Sequence, residues 1–126
     1  MSDQRAPINS YRDLVVWQEA MNLAAAAYKL TATFPTEETY GLTSELRRSA
    51  ASVPANVAEG YGRDSRGAYV QQLRVAQGSL KEFETHLLLS ERVDIVDKLA
   101  LAPLLAKSET IGKMLRSLIR SIENSD

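Results

Sequence analysis

Apolar residues recur at helical spacing along four segments of the chain. In the segment from residue 42 to residue 63, small and apolar side chains follow steps of four and three, which keeps them on one face of a helix. This stripe consists of Leu42, Leu46, Ser49, Ala50, Val53, Val57 and Tyr61. The opposite face carries Glu45, Arg48, Ser52, Asn56, Glu59 and Arg63. Because most stripe residues are small, the pattern predicts close packing against a neighbouring helix.

The first helix is predicted to follow a flexible polar tail, residues 1–9. Ser10 and Asp13 have the spacing of a capping arrangement, in which a hydroxyl and a carboxylate satisfy free amides of the first turn. Phe34 and Pro35 end the helix, because the residue before a proline is pushed out of helical geometry. The predicted buried stripe is Leu14, Trp17, Met21, Ala24 and Tyr28.

The third helix is predicted to begin within residues 65–67 and to end near Arg92, after a turn marked by Gly60 and Gly62. Gly78 lies in its middle and costs about 1 kcal/mol of helix propensity relative to alanine. A close contact with a neighbouring helix is therefore expected at Gly78. The predicted stripe is Tyr69, Leu73, Ala76, Leu80, Phe83 and Leu87.

Prolines fall inside two of the stripes. Pro54 removes the amide that would bond to Ala50, and because the stripe resumes at Val57, the second helix is predicted to bend and continue. Pro103 leaves two alternatives for the fourth helix. Either Asp97 caps a helix that bends at the proline, which is the preferred interpretation, or the helix begins at Pro103. The stripe of this helix is Leu101, Leu104, Ser108, Ile111, Leu115, Leu118 and Ile122.

Four amphipathic segments with short connections and no strand-like alternation predict an all-α fold. The expected architecture is an antiparallel up-down-up-down four-helix bundle over residues 10–123, with residues 124–126 as a C-terminal tail. Some apolar residues lie beside the stripes, where a bundle of this size cannot bury them all, so self-association is predicted. These residues are Val15, Val16, Leu30, Leu88, Leu105 and Ile119.

The predicted hairpin of helices two and three also places charged residues opposite one another. If it turns near residue 64, facing residues have numbers that add up to about 129, which puts Glu82 level with Arg47 or Arg48. A structural ion pair is favoured over a catalytic acid at Glu82, because no reactive partner accompanies it.

Composition fits a single globular domain of 126 residues, with 44% hydrophobic and 25% charged residues. The absence of cysteine excludes disulfides and thiolate chemistry, and the absence of a long apolar run or signal-like segment leads us to expect a soluble cytoplasmic protein. The net charge of −1 argues against strong global attraction to nucleic acid. Two segments are nevertheless locally basic, and their candidate phosphate contacts are Arg63, Arg66, Arg74, Lys107, Lys113, Arg116 and Arg120.

The sequence predicts no catalytic, cofactor-binding or metal-binding residues. His86 is the only histidine, and one histidine without cysteine does not make the usual transition-metal site, so a surface or rim position is expected. The Glu-x-x-His pairs of di-metal bundles are missing, and so are a nucleophile elbow and a phosphate-binding loop with a following lysine. We therefore expect a protein that is not an enzyme.

The most specific runs of the sequence are GLTSELRRSAASVPANVAEGYGR and AQGSLKEFETHLLLSERV, preceded by YRDLVVWQEAMNLAAAAYKL and FP. These runs resemble the bacterial four-helix bundle proteins encoded by intervening sequences in 23S rRNA genes. The resemblance spans roughly residues 11–122. It implies a homopentameric barrel of antiparallel bundles, with no established enzymatic activity and an incompletely known role. The same family includes accessory proteins of diversity-generating retroelements, which are basic and associate with nucleic acid and a reverse transcriptase.

The resemblance also places a set of polar residues in the shared motifs, where they are expected to be structural. Together with the predicted ion pair, this structural polar motif comprises Arg47, Arg48, Ser52, Asn56, Glu59, Ser79 and Glu82.

Two classes of function follow from these observations. The favoured one is a non-catalytic oligomeric scaffold that binds RNA, DNA or a nucleoprotein partner through basic patches on helices two and four. The alternative is a bundle that binds a small molecule or a metal, which would include an unrecognised enzyme. The shortage of histidine and cysteine counts against the alternative.

Overall fold

The computed structural model of the protein describes residues 7–125. Within this range the chain forms four α-helices and no strand, which confirms the predicted all-α class. The helices are α1 (Val15–Thr31), α2 (Leu42–Tyr61), α3 (Arg66–Arg92) and α4 (Lys98–Glu123). Short 3-10 helices, Tyr11–Asp13 and Thr36–Glu38, precede α1 and α2. Residues 1–6 of the predicted N-terminal tail and Asp126 of the C-terminal tail lie outside the described residues.

The four helices surround one apolar core. Helix α1 packs against α2 and α4, and α3 packs against the same two helices. The α2–α3 pair has the most extensive contact. All four helices contribute large, fully buried side chains, among them Leu23, Leu46, Leu73, Leu80, Phe83, Leu87, Ile111 and Leu115. Among the described residues, no helix has the length and apolar character needed to cross a membrane.

The predicted stripes of α2, α3 and α4 supply most of this core. Near the end of α4, however, Ile119 is buried, whereas Leu118 and Ile122 are only partly buried. A heptad pattern drifts by about 20° per heptad relative to a straight α-helix, so toward the end of α4 the position of Leu118 rotates away from the centre of the buried face. Ile119, which the sequence pattern placed beside the stripe, is therefore a core residue.

The predicted stripe of α1 is correct only in part, because Ala24 is buried and Leu14 and Trp17 pack against the core, whereas its other two members are exposed. The buried residues are Val16, Ala20, Leu23, Ala24, Ala27 and Thr31. Met21 and Tyr28, which the stripe included, are 45% and 50% exposed. Helix α1 is apolar on more than one face, so periodicity did not distinguish the buried face. The face with more alanines is the buried one, because small side chains let α1 approach its neighbours closely.

Helix ends follow the predicted caps with one exception. Ser10 and Asp13 form a capping box, but it caps the 3-10 helix, and α1 begins only at Val15 after an extended Leu14. The carboxylate of Asp97 accepts a hydrogen bond from the amide of Ala100 at the start of α4, as predicted.

Both internal prolines lie within continuous helices. Helix α2 passes through Pro54, as predicted. Helix α4 begins at Lys98 and passes through Pro103, so the alternative start at Pro103 is wrong. The bends at these prolines remain predictions.

Close approach of α2 and α3 occurs at Gly60 instead of Gly78. A Cβ atom added to Gly60 would lie 2.9 Å from the Cβ of Gln72 and 3.2 Å from the carbonyl oxygen of Tyr69. At Gly78 an added Cβ would meet no described atom within 4 Å. The predicted helix contact at Gly78 is therefore wrong within the described chain. Gly60 lets the last turn of α2 lie against α3.

Candidate functional site

Polar side chains of α2 and α3 form a series of contacts along the boundary between the two helices. We call this series the α2–α3 polar seam. It consists of Glu45, Arg48, Ser52, Asn56, Glu59 and Arg63 from α2 and of Gln72, Ser79 and Glu82 from α3. The α2 members recur at steps of three and four residues, so they share one face of that helix.

One end of the seam is an arginine held between two carboxylates. Nη2 of Arg48 lies 2.5 Å from Oε1 of Glu45 and 2.6 Å from Oε2 of Glu82. The predicted contact between Glu82 and Arg48 is therefore confirmed. The hydrogen bond from Arg48, aided by its charge, lowers the pKa of Glu45 below its usual value. The hydrogen bonds that Arg48 donates to Glu45 and Glu82 in turn raise the pKa of its guanidinium.

Arg47, the alternative partner for Glu82, contacts α1 instead. Its Nε donates to Oγ1 of Thr31 at 2.8 Å, and its guanidinium carbon lies 4.5 Å from the ring centroid of Tyr28. The buried Thr31 hydroxyl donates in turn to the carbonyl of Ala27 at 2.7 Å. Arg47 therefore connects α2 to α1 and is not part of the polar seam.

The middle of the seam is a group of uncharged hydrogen bonds. The hydroxyl oxygens of Ser52 and Ser79 lie 2.8 Å apart across the two helices. Nδ2 of Asn56 donates to the hydroxyl of Ser52 at 2.9 Å and to its carbonyl at 2.8 Å. These three side chains are partly buried. The contacts satisfy polar groups at the helix boundary, which agrees with the structural role expected for them.

Gln72 joins the remaining members of the seam, and the sequence analysis missed it. Its Nε2 donates to Oδ1 of Asn56 at 2.6 Å and to Oε1 of Glu59 at 3.1 Å. Its Oε1 accepts a hydrogen bond from Arg63 at 3.1 Å. The hairpin register contained the signal, because 56 and 72 add up to nearly the same number as 48 and 82.

The seam contains hydroxyls but lacks the arrangement of a nucleophilic enzyme. Ser52 and Ser79 bond to each other, and Ser52 also accepts from the amide of Asn56. No described histidine or carboxylate accepts a proton from either hydroxyl. Ser49 is buried and donates to the backbone carbonyl of Glu45. The contacts in the middle of the seam are those of helix pairing.

His86 lies near the Arg48 end of the seam. One ligand atom each from Glu45, Glu82 and His86 lies within 4.8 Å of the other two. The Nδ1 atom of His86 is buried and has no hydrogen-bond partner among the described residues. The sequence analysis missed this cluster because it looked for a second histidine and for Glu-x-x-His pairs. The actual spacing on α3 is four residues, and the third group comes from α2.

The predicted phosphate contacts divide into two groups. Four of them bind partners within the protein, in the pairs Arg63–Gln72, Arg66–Ser125, Arg74–Glu123 and Lys107–Glu19. The other three, Lys113, Arg116 and Arg120, are exposed on α4 and form no ion pair with a described residue. Their spacing of three and four residues places them along one side of the helix. We call these three residues the α4 basic stripe.

Sequence comparison places the chain in a family. The sequence profile of the 23S rRNA-intervening sequence protein family matches residues 12–117, and the chain belongs to this family. The resemblance of the motifs is thereby confirmed. No curated protein is significantly similar to the chain.

A solved structure supports the fold. A protein of unknown function from the S23 ribosomal protein family of Bacteroides thetaiotaomicron superposes on the chain with a TM-score of 0.75 and 24% sequence identity. The match covers 83% of this chain and 98% of that one. At this level of identity the similarity supports the helical fold alone.

Proposed function

We propose that the protein is a non-catalytic, oligomeric helical scaffold that binds nucleic acid through the α4 basic stripe. The proposal rests on the observation that Lys113, Arg116 and Arg120 are exposed along one side of α4 without an ion pair to a described residue. The other predicted phosphate contacts hold partners within the protein. A set of neighbouring cations without acidic partners is the feature expected of a phosphate-binding surface.

The subunit of this scaffold is an antiparallel up-down-up-down bundle. The contacts Arg48–Glu82, Ser52–Ser79 and Asn56–Gln72 support this topology, because residue numbers rise along α2 while those of the partners fall along α3. Contacts between α3 and α4 support the same relation, since Arg74 pairs with Glu123 and Glu84 with Ser108.

Self-association is supported by large apolar side chains that the described core leaves exposed. They include Val15, Met21 and Tyr28 on α1 and Val75, Leu88 and Leu89 on α3. Met21 and Tyr28 are seven residues apart and share one face of α1, and contiguous apolar surface of this kind marks interaction sites. The family resemblance supplies the number of subunits, which we propose to be five.

An oligomer compensates for the small size of the stripe. The first and last of the three cations, Lys113 and Arg120, are seven residues apart on α4, or about 10 Å, which matches about three phosphates along one strand. Several copies of the stripe on one assembly bind a long strand together, so avidity replaces high affinity per subunit. Since the contacts are to phosphates, binding is expected to tolerate changes in base sequence and to depend strongly on salt.

Titration of fluorescent single-stranded RNA and DNA at about 50 and 200 mM salt tests the nucleic-acid interaction. We expect binding at the lower salt, a loss of orders of magnitude at the higher salt, and strong weakening in the triple variant K113Q/R116Q/R120Q. The matched control is K29Q/R92Q/K98Q, which removes three exposed cations from other parts of the chain. Absence of binding at the lower salt, or equal weakening by both triple variants, would overturn the nucleic-acid proposal.

Light scattering on a size-exclusion column tests the oligomer separately. We expect a species of about five times the chain mass of 13.9 kDa. A species of one chain mass at micromolar concentration would overturn the oligomeric scaffold, whatever the outcome of the nucleic-acid titration.

A further inference from the structure

Three side chains with metal-ligating atoms converge at the Arg48 end of the polar seam. Glu82 and His86 are four residues apart on α3, so they share one face of that helix. Glu45 faces them from the first turn of α2. Their ligand atoms all lie within 4.8 Å of one another. Ligands of a tetrahedral zinc ion lie about 3.4 Å apart, so small side-chain rotations bring the three groups to one ion.

The imidazole of His86 provides a second, independent observation. Its Nδ1 atom is buried and lacks a hydrogen-bond partner among the described residues. A buried polar atom without a partner is uncommon and costs free energy. Besides hydrogen bonding, the main interaction of a neutral imidazole nitrogen is coordination of a metal. A histidine with a buried, unpartnered nitrogen beside two carboxylates therefore has the chemistry of a metal ligand.

The position between the two carboxylates already holds a cationic group. Nη2 of Arg48 contacts Glu45 at 2.5 Å and Glu82 at 2.6 Å. The Arg48 side chain is 55% exposed, so it can rotate into water without leaving a buried cavity. Two carboxylates and one guanidinium carry a net negative charge, which favours exchange of the guanidinium for a divalent ion.

We propose that Glu45, Glu82 and His86 form a binding site for a divalent transition-metal ion, and that the ion exchanges with the guanidinium of Arg48. Two carboxylate oxygens and one imidazole nitrogen suit Zn²⁺, whereas Mg²⁺ prefers oxygen ligands alone. Three protein ligands leave the fourth position of a tetrahedral zinc ion to water. This site lies between α2 and α3 and is separate from the α4 basic stripe, so it goes beyond the scaffold function.

Calorimetric titration of the untagged, full-length protein with zinc chloride at pH 7.5 tests the site. We expect one Zn²⁺ per chain and at least a tenfold weaker affinity, roughly, in H86Q and E82Q. The matched control for E82Q is E84Q, because Glu84 bonds to Ser108 and Lys81 instead of joining the cluster. Millimolar Mg²⁺ should leave zinc binding unchanged.

Zinc binding by a variant of Arg48 tests the proposed exchange most specifically. If metal and guanidinium exchange at one position, R48Q binds Zn²⁺ more tightly than the wild-type protein. R47Q removes the same charge from the neighbouring residue, which contacts Thr31 and Tyr28, and should change the affinity little. If R47Q and R48Q raise the affinity for Zn²⁺ equally, the increase comes from the change in net charge, and the proposed exchange is wrong.

Nuclear magnetic resonance detects zinc binding independently of the calorimetric signal. His86 is the only histidine in the chain, so its ring signals are unambiguous. We expect those signals to shift on addition of Zn²⁺ while far-ultraviolet circular dichroism shows an unchanged helical fold. Unshifted ring signals at saturating zinc, or equal zinc affinity in wild type and H86Q, would overturn the site.

Discussion

The guanidinium of Arg48 on α2 lies 2.6 Å from the carboxylate of Glu82 on α3. The two side chains are about half exposed to solvent, at 55% and 40%. Water and salt screen such a pair, and ordering two long side chains costs entropy. The contact therefore indicates the register of the two helices without contributing much to their stability.

Loss of the Glu82 carboxylate should consequently be tolerated. We expect Glu82→Ala to lower the melting temperature by less than about 4 °C, a small change for a domain of this size. Thermal unfolding followed by circular dichroism in zinc-free buffer measures the effect, with the exposed Glu109→Ala on α4 as a control. A drop of 10 °C or more, roughly, would show that the pair is a main determinant of stability.

Loss of the Asn56 amide should cost more than loss of this exposed ion pair. Asn56→Ala removes the acceptor of Gln72 and the donor to Ser52, and these partners are only partly exposed. We expect the free energy of unfolding to fall by about 1–2 kcal/mol in urea titrations. Asn22→Ala is the matched control, because Asn22 is exposed on α1 and its change should be neutral or slightly stabilising. Equal effects of the two substitutions would contradict a role for the seam in helix pairing.

Two of the helical glycines, Gly60 and Gly78, should respond in opposite directions to alanine. At Gly60 the new Cβ lies 2.9 Å from the Cβ of Gln72, so α2 and α3 must separate, and we expect a loss of about 1–3 kcal/mol. At Gly78 the new Cβ meets no described atom, and better helix propensity should add about 0.5–1 kcal/mol. Urea unfolding of both variants measures the difference. Destabilisation by Gly78→Ala would point to a contact outside the described chain, such as a second subunit.

The contact between Arg48 and Glu45 should make stability depend on pH in the acid range. Arg48 lowers the pKa of Glu45 in the folded protein below the ordinary value of 4.5. The stabilisation is therefore complete above about pH 4.5 and is lost as the pH falls through the lowered pKa of the folded state. We expect the melting temperatures of wild type and R48Q to converge as the pH decreases through this window. If the difference in melting temperature stays constant from about pH 6 to about pH 3, the effect of Arg48 comes from packing of its side chain.

Local patterns in the sequence determined the helical class and much of the core. The stripes of α2, α3 and α4 have one clearly apolar face each, so burial of that face leaves few alternatives. The cap at Asp97 acts within one turn, and it was predictable for the same reason. The contact of Arg48 with Glu82 was also accessible, because the register of a hairpin follows from the position of its turn.

Tertiary structure decided the features that depend on distance between helices. Helix α1 has apolar residues on more than one face, and only packing selected Ala20 and Leu23 over Met21 and Tyr28. Gly60 and Gly78 have the same helix propensity, and the close approach of α3 at Gly60 alone distinguishes them. His86 is a single histidine in the sequence, and it becomes a candidate ligand only because the packing of α2 on α3 brings Glu45 beside it. Periodicity specifies the faces of individual helices, whereas the spacing and rotation between helices result from the packing of all four together.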